Sequence, residues 1–124
     1  MKTAVKTLVP STTFGNSNEV NGAYDGTTPD FSETGQKAVS FYLKDTGIQT
    51  IHWYIADFVG SIKIEATLAT EVDTTDYFMI DEIVSTTILL TENKAVNLTG
   101  NYTWIRATIN NFTGGTIKKI TMSY

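Results

Sequence analysis

The residues of this chain that could carry acid–base or nucleophilic chemistry are few. His52 is the only histidine, and the chain contains no cysteine. Without a second histidine or a thiol, the usual pairings of a nucleophile with a base cannot be assembled. His52 also stands between Ile51 and Trp53 in a strand-like segment, where a lone histidine is more often a surface residue than a catalytic one. We therefore predict that the protein is not an enzyme and uses no cofactor.

Carboxylates are the remaining side chains that could bind a metal ion or act in acid–base catalysis. Asp73, Asp76, Asp81 and Glu82 cluster between two predicted strands, and converging carboxylate oxygens are what Ca²⁺ requires. No EF-hand spacing accompanies them, so we interpret the cluster as a solvated loop and predict no metal. A glycosidase pair depends on a spatial separation that sequence does not give, and the small chain shows no evident cleft.

A tetrad of Asx, a large apolar residue, a β-branched residue and glycine occurs at 57–60, 97–100 and 111–114. Asx side chains cap turns, and glycine relaxes the backbone where a chain reverses. We interpret each tetrad as a turn that precedes a strand. Three asparagines between 97 and 111 also match the N-glycosylation pattern, but no apolar run typical of a secretory signal precedes them. We therefore favour a structural role for the tetrads, as turns, over glycosylation of their asparagines.

Composition narrows the class of protein further. At 124 residues the length fits one domain with a modest core. The formal net charge of −4 argues against a nucleic-acid partner, which requires a basic face. No apolar stretch has the length of a membrane helix, so we expect neither nucleic acid nor membrane as a partner.

From residue 37 onward, apolar and polar residues alternate with the period of half-buried strands. Threonine and other β-branched residues are abundant, as is typical of strands. Short strands at roughly ten-residue spacing predict an all-β fold, an antiparallel β-sandwich of jelly-roll-like type. The predicted strands are 37–43, 48–56, 61–68, 77–84, 86–92, 94–98, 102–109 and 116–124.

The alternation also predicts which side chains face the core. In strand 48–56 the inward residues are Ile51, Trp53 and Ile55. In strand 61–68 they are Ile62, Ile64, Ala66 and Leu68. In strand 77–84 they are Phe78 and Ile80. In 102–109 the inward residues are Ile105, Ala107 and Ile109, and near the end they are Ile120, Met122 and Tyr124. Ile117 is out of phase with these, which predicts a bulge near Lys118-Lys119.

The N-terminal part, residues 1–36, differs from the sandwich predicted for 37–124. Residues 3–9 read as a strand that pairs at a sheet edge, and 10–36 as a polar arm rich in Gly, Thr, Ser and Asn. Phe14, Tyr24 and Phe31 interrupt this polar composition and are candidate anchors for a partner. Two interpretations stay open: the arm wraps over its own sandwich, or it crosses to a neighbouring subunit.

Four aromatic or imidazole side chains, His52, Tyr54, Tyr102 and Trp104, fall on the outer faces of their predicted strands. Outward aromatics stack on sugars in carbohydrate-binding modules and also anchor protein interfaces. If the strand of Trp104 is instead covered on both sides, Arg106 needs a carboxylate partner such as Glu65 or Glu82.

Two stretches, DFVGSIKIEATL at 57–68 and NYTWIRA at 101–107, resemble a β-sandwich module found in virion structural proteins of tailed bacteriophages. The resemblance spans about residues 38–124 and does not include the arm. It implies a structural protein without catalytic residues, made in the bacterial cytoplasm and assembled into the virion.

The function implied is a phage virion protein that decorates or cements the capsid through symmetric protein–protein contacts. Its expected partners are the major capsid or tail protein of the same phage and further copies of itself, as a homo-oligomer. The alternatives are a tail, baseplate or fibre component, or a carbohydrate-binding module that contacts surface glycans of the host.

Overall fold

The computed structural model describes residues 4–43, 47–69 and 76–124, and their fold is all-β and antiparallel, as predicted. No helix in these ranges is long and apolar enough to cross a membrane. The elements are β1 (Val5–Val9), β2 (Thr12–Thr13), β3 (Phe31–Ser32), β4 (Gln36–Lys37), α1 (Val39–Leu43), β5 (Gly47–Thr67), β6 (Phe78–Gly100) and β7 (Trp104–Ser123).

Three long strands form the centre of the sheet. β5, β6 and β7 contain 21, 23 and 20 residues, and β5 lies between the other two. The four short strands β1 to β4 all pair antiparallel with β7, on the side away from β5. The seven strands thus make one sheet, in which the N-terminal arm supplies one edge and β6 supplies the other.

The long strands bend in the middle, which corrects the interpretation of two tetrads as turns between strands. Asp57 and Asn111 take left-handed φ values of 53° and 54° inside β5 and β7, a conformation that Asx residues tolerate better than most. Ladder register is interrupted beside both. Segments predicted as pairs of strands are therefore the two halves of one bent strand, and only the tetrad at 97–100 stands at a strand end.

The hydrophobic core is continuous across the bend. One cluster contains fully buried residues from both halves of β5 and β7, among them Ile51, Ile64, Ile105 and Ile120. Leu8, Val9 and Tyr24 from the N-terminal part belong to the same cluster, so the arm contributes to the cover of the apolar face.

Several sequence predictions of inward residues are confirmed. All those named for 48–56 and 102–109 are buried, as are Ile62, Ile64 and Ala66. The predicted bulge is present: Tyr54 pairs with Lys119 and Ile55 with Ile117, so that Lys118 has no partner on β5. The extra residue lets Ile117, Ile120 and Met122 all face the core.

Three other predictions are wrong. Residues 39–43 form helix α1: β4 pairs its last residue, Lys37, with Trp104, the first residue of β7, so β7 offers no further residue for the segment after β4 to pair with. Leu68 is exposed because β5 ends at Thr67. Phe78 is also exposed, since two register shifts near the start of β6 turn its side chain away from the core.

Candidate functional site: the two edges of the sheet

The N-terminal arm covers the outer edge of β7 along its whole length. β1 pairs with residues 120–123 and β2 with 116–117, while β3 and β4 pair with 108–109 and 104–105. Single backbone hydrogen bonds fill positions between these short ladders: Phe14 donates to Gly115 at 2.9 Å, and Glu33 donates to Ala107 at 3.1 Å. The prediction of an edge strand at residues 3–9 is confirmed for Val5–Val9, which form β1, while residue 3 lies outside the described residues.

The three predicted anchors hold the arm to its own chain. Phe112, fully buried at the bend of β7, is the centre of an aromatic cluster. The ring centroids of Tyr24, Phe14 and Phe31 lie 5.1, 5.8 and 6.2 Å from that of Phe112, and Phe58 stacks on it at 5.6 Å. Tyr24 is only 1% exposed, so in this conformation it offers no surface to another molecule, and wrapping over the sandwich is the arrangement seen.

Polar contacts fix the arm at the same bend. Asp30 accepts a hydrogen bond of 2.9 Å from the backbone N–H of Asn111, and the carbonyl of Pro29 accepts one of 3.0 Å from Phe112. The backbone groups that the left-handed turn removes from the ladder thus find partners in the arm. Asn111, Asp30 and Phe112 therefore join the bend and the arm into one unit.

A tight turn stiffens the exposed tip of the arm. The hydroxyl of Thr28 donates to Asp25 at 2.6 Å, and the backbone N–H groups of Thr28 and Thr27 donate at 2.6 and 2.8 Å. These bonds, with that of the Thr28 hydroxyl foremost, hold the pKa of Asp25 well below its ordinary value. The arm is thus locally ordered, unlike a flexible linker of similar composition.

A carboxylate of the arm itself, that of Glu33, is buried. Glu33 borders a cavity of about 410 Å³ between the arm and β1, and both its oxygens lie 3.0 Å from the backbone nitrogen of Ala23. Burial raises the pKa of Glu33, and the Ala23 hydrogen bond opposes part of that rise. Its role in the structure is to hold the loop that contains Ala23 against the sheet.

The outer edge of β6 differs from that of β7, which the arm covers. Within the described ranges, β6 pairs with β5 and with no other strand. Residues 92–100 pair with β5 in continuous register, without a bulge. Backbone groups on the far side of such a strand face outward and are available to pair with another chain.

β6 also exposes large apolar side chains. Ile88 and Leu89 are 74% and 68% exposed, and Phe78 and Met79 near the start of the strand are exposed as well. Exposed apolar residues are common singly, but adjacent ones on an open strand are typical of an interaction surface. We call β6 with these four side chains the open edge.

Charged residues divide the open edge into two parts. Asp81 and Glu82 lie before the bend, where Glu82 accepts a hydrogen bond of 3.1 Å from Ser61. Lys94 lies after the bend and is largely exposed, 3.6 Å from Glu92. Glu92 is further engaged by the indole N–H of Trp53 at 2.9 Å. Lys94 is the cation in the part of β6 that follows the bend.

The four outer aromatic or imidazole residues do not form one patch. His52 and Tyr54 lie in the first half of β5, and His52 contacts the side chain of Asn93. Trp104 pairs with Thr67 beyond the bend of β5, and the ring of Phe41 covers it at 5.6 Å. Tyr102 packs on Phe78 instead, at 6.3 Å. Of the four, Tyr54 alone is exposed, at 37%.

Arg106 has the carboxylate partner that sequence proposed. Its Nε lies 2.8 Å from Glu65, and both side chains are largely shielded from solvent. The ring of Tyr77 lies over the guanidinium, 4.1 Å away. Arg106 and Glu65 thus serve as a structural pair.

Of the carboxylate cluster predicted from the sequence, Asp73 lies outside the described residues, while Asp81 and Glu82 belong to the open edge.

Sequence reasoning missed the open edge because it divided β6 into three strands. A signal was present: residues 78–99 contain no glycine or proline, although turns between strands usually contain such residues. A long segment without turn residues is better interpreted as one continuous strand.

Comparisons with known proteins add no relative. No family model matches the chain, and neither a curated protein nor a solved structure matches it.

Proposed function

We propose that this protein is a non-catalytic structural component of a tailed-phage particle, which decorates or cements the capsid through contacts with other protein subunits. The observation that carries the proposal is the difference between the two sheet edges. One edge is closed by the chain's own arm, while the 23-residue strand β6 has no strand on its outer side within the described part of the chain. The phage setting comes from the sequence resemblance of residues 38–124.

The type of contact follows from the geometry of the open edge. A strand with unpaired backbone groups binds another strand by extending the sheet, and its side chains set which partner fits. The exposed Ile88 and Leu89 add apolar area that favours association. Repeated subunits arranged by symmetry are a natural setting for such an edge, because each copy offers the same surface.

The alternative of glycan binding has less support. A sugar-stacking platform needs an accessible aromatic face, but Trp104 is covered by Phe41, and Lys37 lies within 5.7 Å of its ring. Tyr54 remains as the exposed ring, with His52 and Asn93 beside it. A single exposed tyrosine gives a weaker platform than the row of aromatics expected from the sequence.

The test is binding to purified phage particles, with head and tail fractions separated and analysed by mass spectrometry. We expect the protein to be retained on heads, and its retention to fall at least tenfold in the variant Leu89→Lys. The control Val20→Lys makes the same kind of change at an arm residue that is 95% exposed. Retention on neither fraction would overturn the proposal, and retention on tails alone would replace the capsid by the tail.

A further inference from the structure

We propose that the open edge binds β6 of a second copy of the same chain, antiparallel, about a two-fold axis that passes through the bend beside Ile88. The inference builds on the proposed function by naming one partner of the open edge. The result is a continuous sheet across two copies, in the order β7-β5-β6-β6-β5-β7.

The bend fixes the register of this pairing. Along the sheet, the bends of neighbouring strands lie side by side: Val59 of β5 pairs with Gly114 of β7, and Phe58 pairs with Leu90 of β6. Between Leu90 and Thr86, β6 passes the bend with extra residues, Thr87 to Leu89. A second β6 must place its own bend at the same level, since a straight half-strand cannot follow a bent neighbour.

Antiparallel pairing at that level is compatible with two-fold symmetry. The first half of β6 in one copy then lies beside the second half of β6 in the other, and the reverse holds across the axis. The backbone of Ile88 does not take part, because its N–H and carbonyl both bond the hydroxyl of Thr86, at 3.1 and 2.8 Å. Side chains make the contact at the axis, and the two halves supply the ladder hydrogen bonds.

The side chains of the open edge are complementary to themselves in this register. Ile88 meets Ile88 of the second copy, and Glu82 comes level with Lys94, because each lies six residues from the axis; Asp81 is the next residue beyond Glu82. Opposite charges across neighbouring strands stabilise a pair, and like charges oppose it. The single cation in the second half thus faces the acidic residues of the first half, which favours a second copy over an unrelated strand.

The first experiment uses the absence of cysteine in the chain. In the variant Ile88→Cys, two thiols meet at the axis, at the separation of opposed residues on paired strands, which suits a disulfide. We expect a covalent dimer to form in air at micromolar concentration and to disappear on reduction. Val20→Cys is the control for random collision. Equal cross-linking of the two variants would overturn the proposal.

The second experiment measures self-association of the purified chain by sedimentation velocity. We expect a dimer that weakens at least tenfold in Ile88→Lys, which places two cations at the axis, and is unchanged in Val20→Lys. Lys94→Glu should also weaken it, and Glu82→Lys combined with Lys94→Glu should recover part of the loss. A monomer at all concentrations, or a dimer indifferent to these changes, would overturn the proposal.

Because this measurement uses the isolated chain, it is independent of phage particles. A monomer that still binds particles through Leu89 would end the inference and leave the proposed function standing. A dimer that binds no particle would do the opposite.

Discussion

The two sides of the three-stranded centre of this sheet differ in whether other strands cover them. β7 has its outer side closed by β1 to β4 and by the arm between them. β6 has an equally long outer side with exposed Ile88 and Leu89 and no strand beside it in the described ranges. Edge strands invite unwanted pairing, and proteins commonly cover them. Under the proposed function, covering one edge with the arm and leaving the outer side of β6 without a strand directs association to a single side.

The largest expected effect concerns the closed edge. Phe112→Ala removes the ring on which Tyr24, Phe14 and Phe31 pack, and truncating a buried phenylalanine costs about 3–5 kcal/mol of unfolding free energy. Chemical denaturation measures the loss. Hydrogen exchange should at the same time become faster in β1 to β4 than in β5. A loss below about 1 kcal/mol, with the arm still protected, would show that the arm is held by its ladder bonds alone.

A smaller effect is expected at the bend itself. Asn111→Ala places alanine at a φ of 54°, where the left-handed conformation costs an ordinary residue roughly 1–2 kcal/mol. Asn111→Gly relieves that strain and should unfold at nearly the temperature of the natural protein. Thermal unfolding of the two variants separates the effects of backbone strain and side chain. Equal losses in both would assign the cost to the asparagine side chain instead.

A pH-dependent effect is expected under the arm. Burial raises the pKa of Glu33 above its ordinary value of 4.5, so the folded state holds the proton more tightly than the unfolded state. The stability from this group is therefore complete below about pH 4.5 and is lost as the pH rises through the raised pKa. Glu33→Gln carries no charge, so its stability relative to the natural protein should improve with rising pH across this window. Denaturation at acid and neutral pH measures the difference, and a constant difference would contradict it.

The smallest effect on stability is expected at the open edge. Leu89→Ala removes a side chain that is 68% exposed, so the unfolding free energy of the monomer should change by less than about 0.5 kcal/mol. Measurement at a concentration well below that of self-association isolates the monomer. A loss comparable to that of Phe112→Ala would mean that Leu89 packs within its own chain, and the contrast between the edges would fail.

Much of the fold could be predicted from alternation, because burial of one sheet face imposes a period of two on Ile51, Trp53 and Ile55 and on Ile105, Ala107 and Ile109. The bulge at Lys118 followed from a break in the same period. The bends were not predictable in this way, since the Asx-containing tetrads are equally compatible with turns between strands. Whether the arm stays on its own chain was also open, because the rings of Tyr24 and Phe31 suit an intramolecular or an intermolecular cluster equally well.

The pairing of Val5 with Ser123 has a consequence for how the molecule is made. Every short strand of the arm needs β7, the last strand in chain order, so these contacts join residues far apart in sequence, and such topologies fold slowly. During synthesis β5 and β6 can pair early. The short strands of the arm have no strand to pair with until β7 has been synthesised. A nascent chain at that stage is vulnerable to misassembly, and the yield of folded protein should depend on how quickly translation delivers β7.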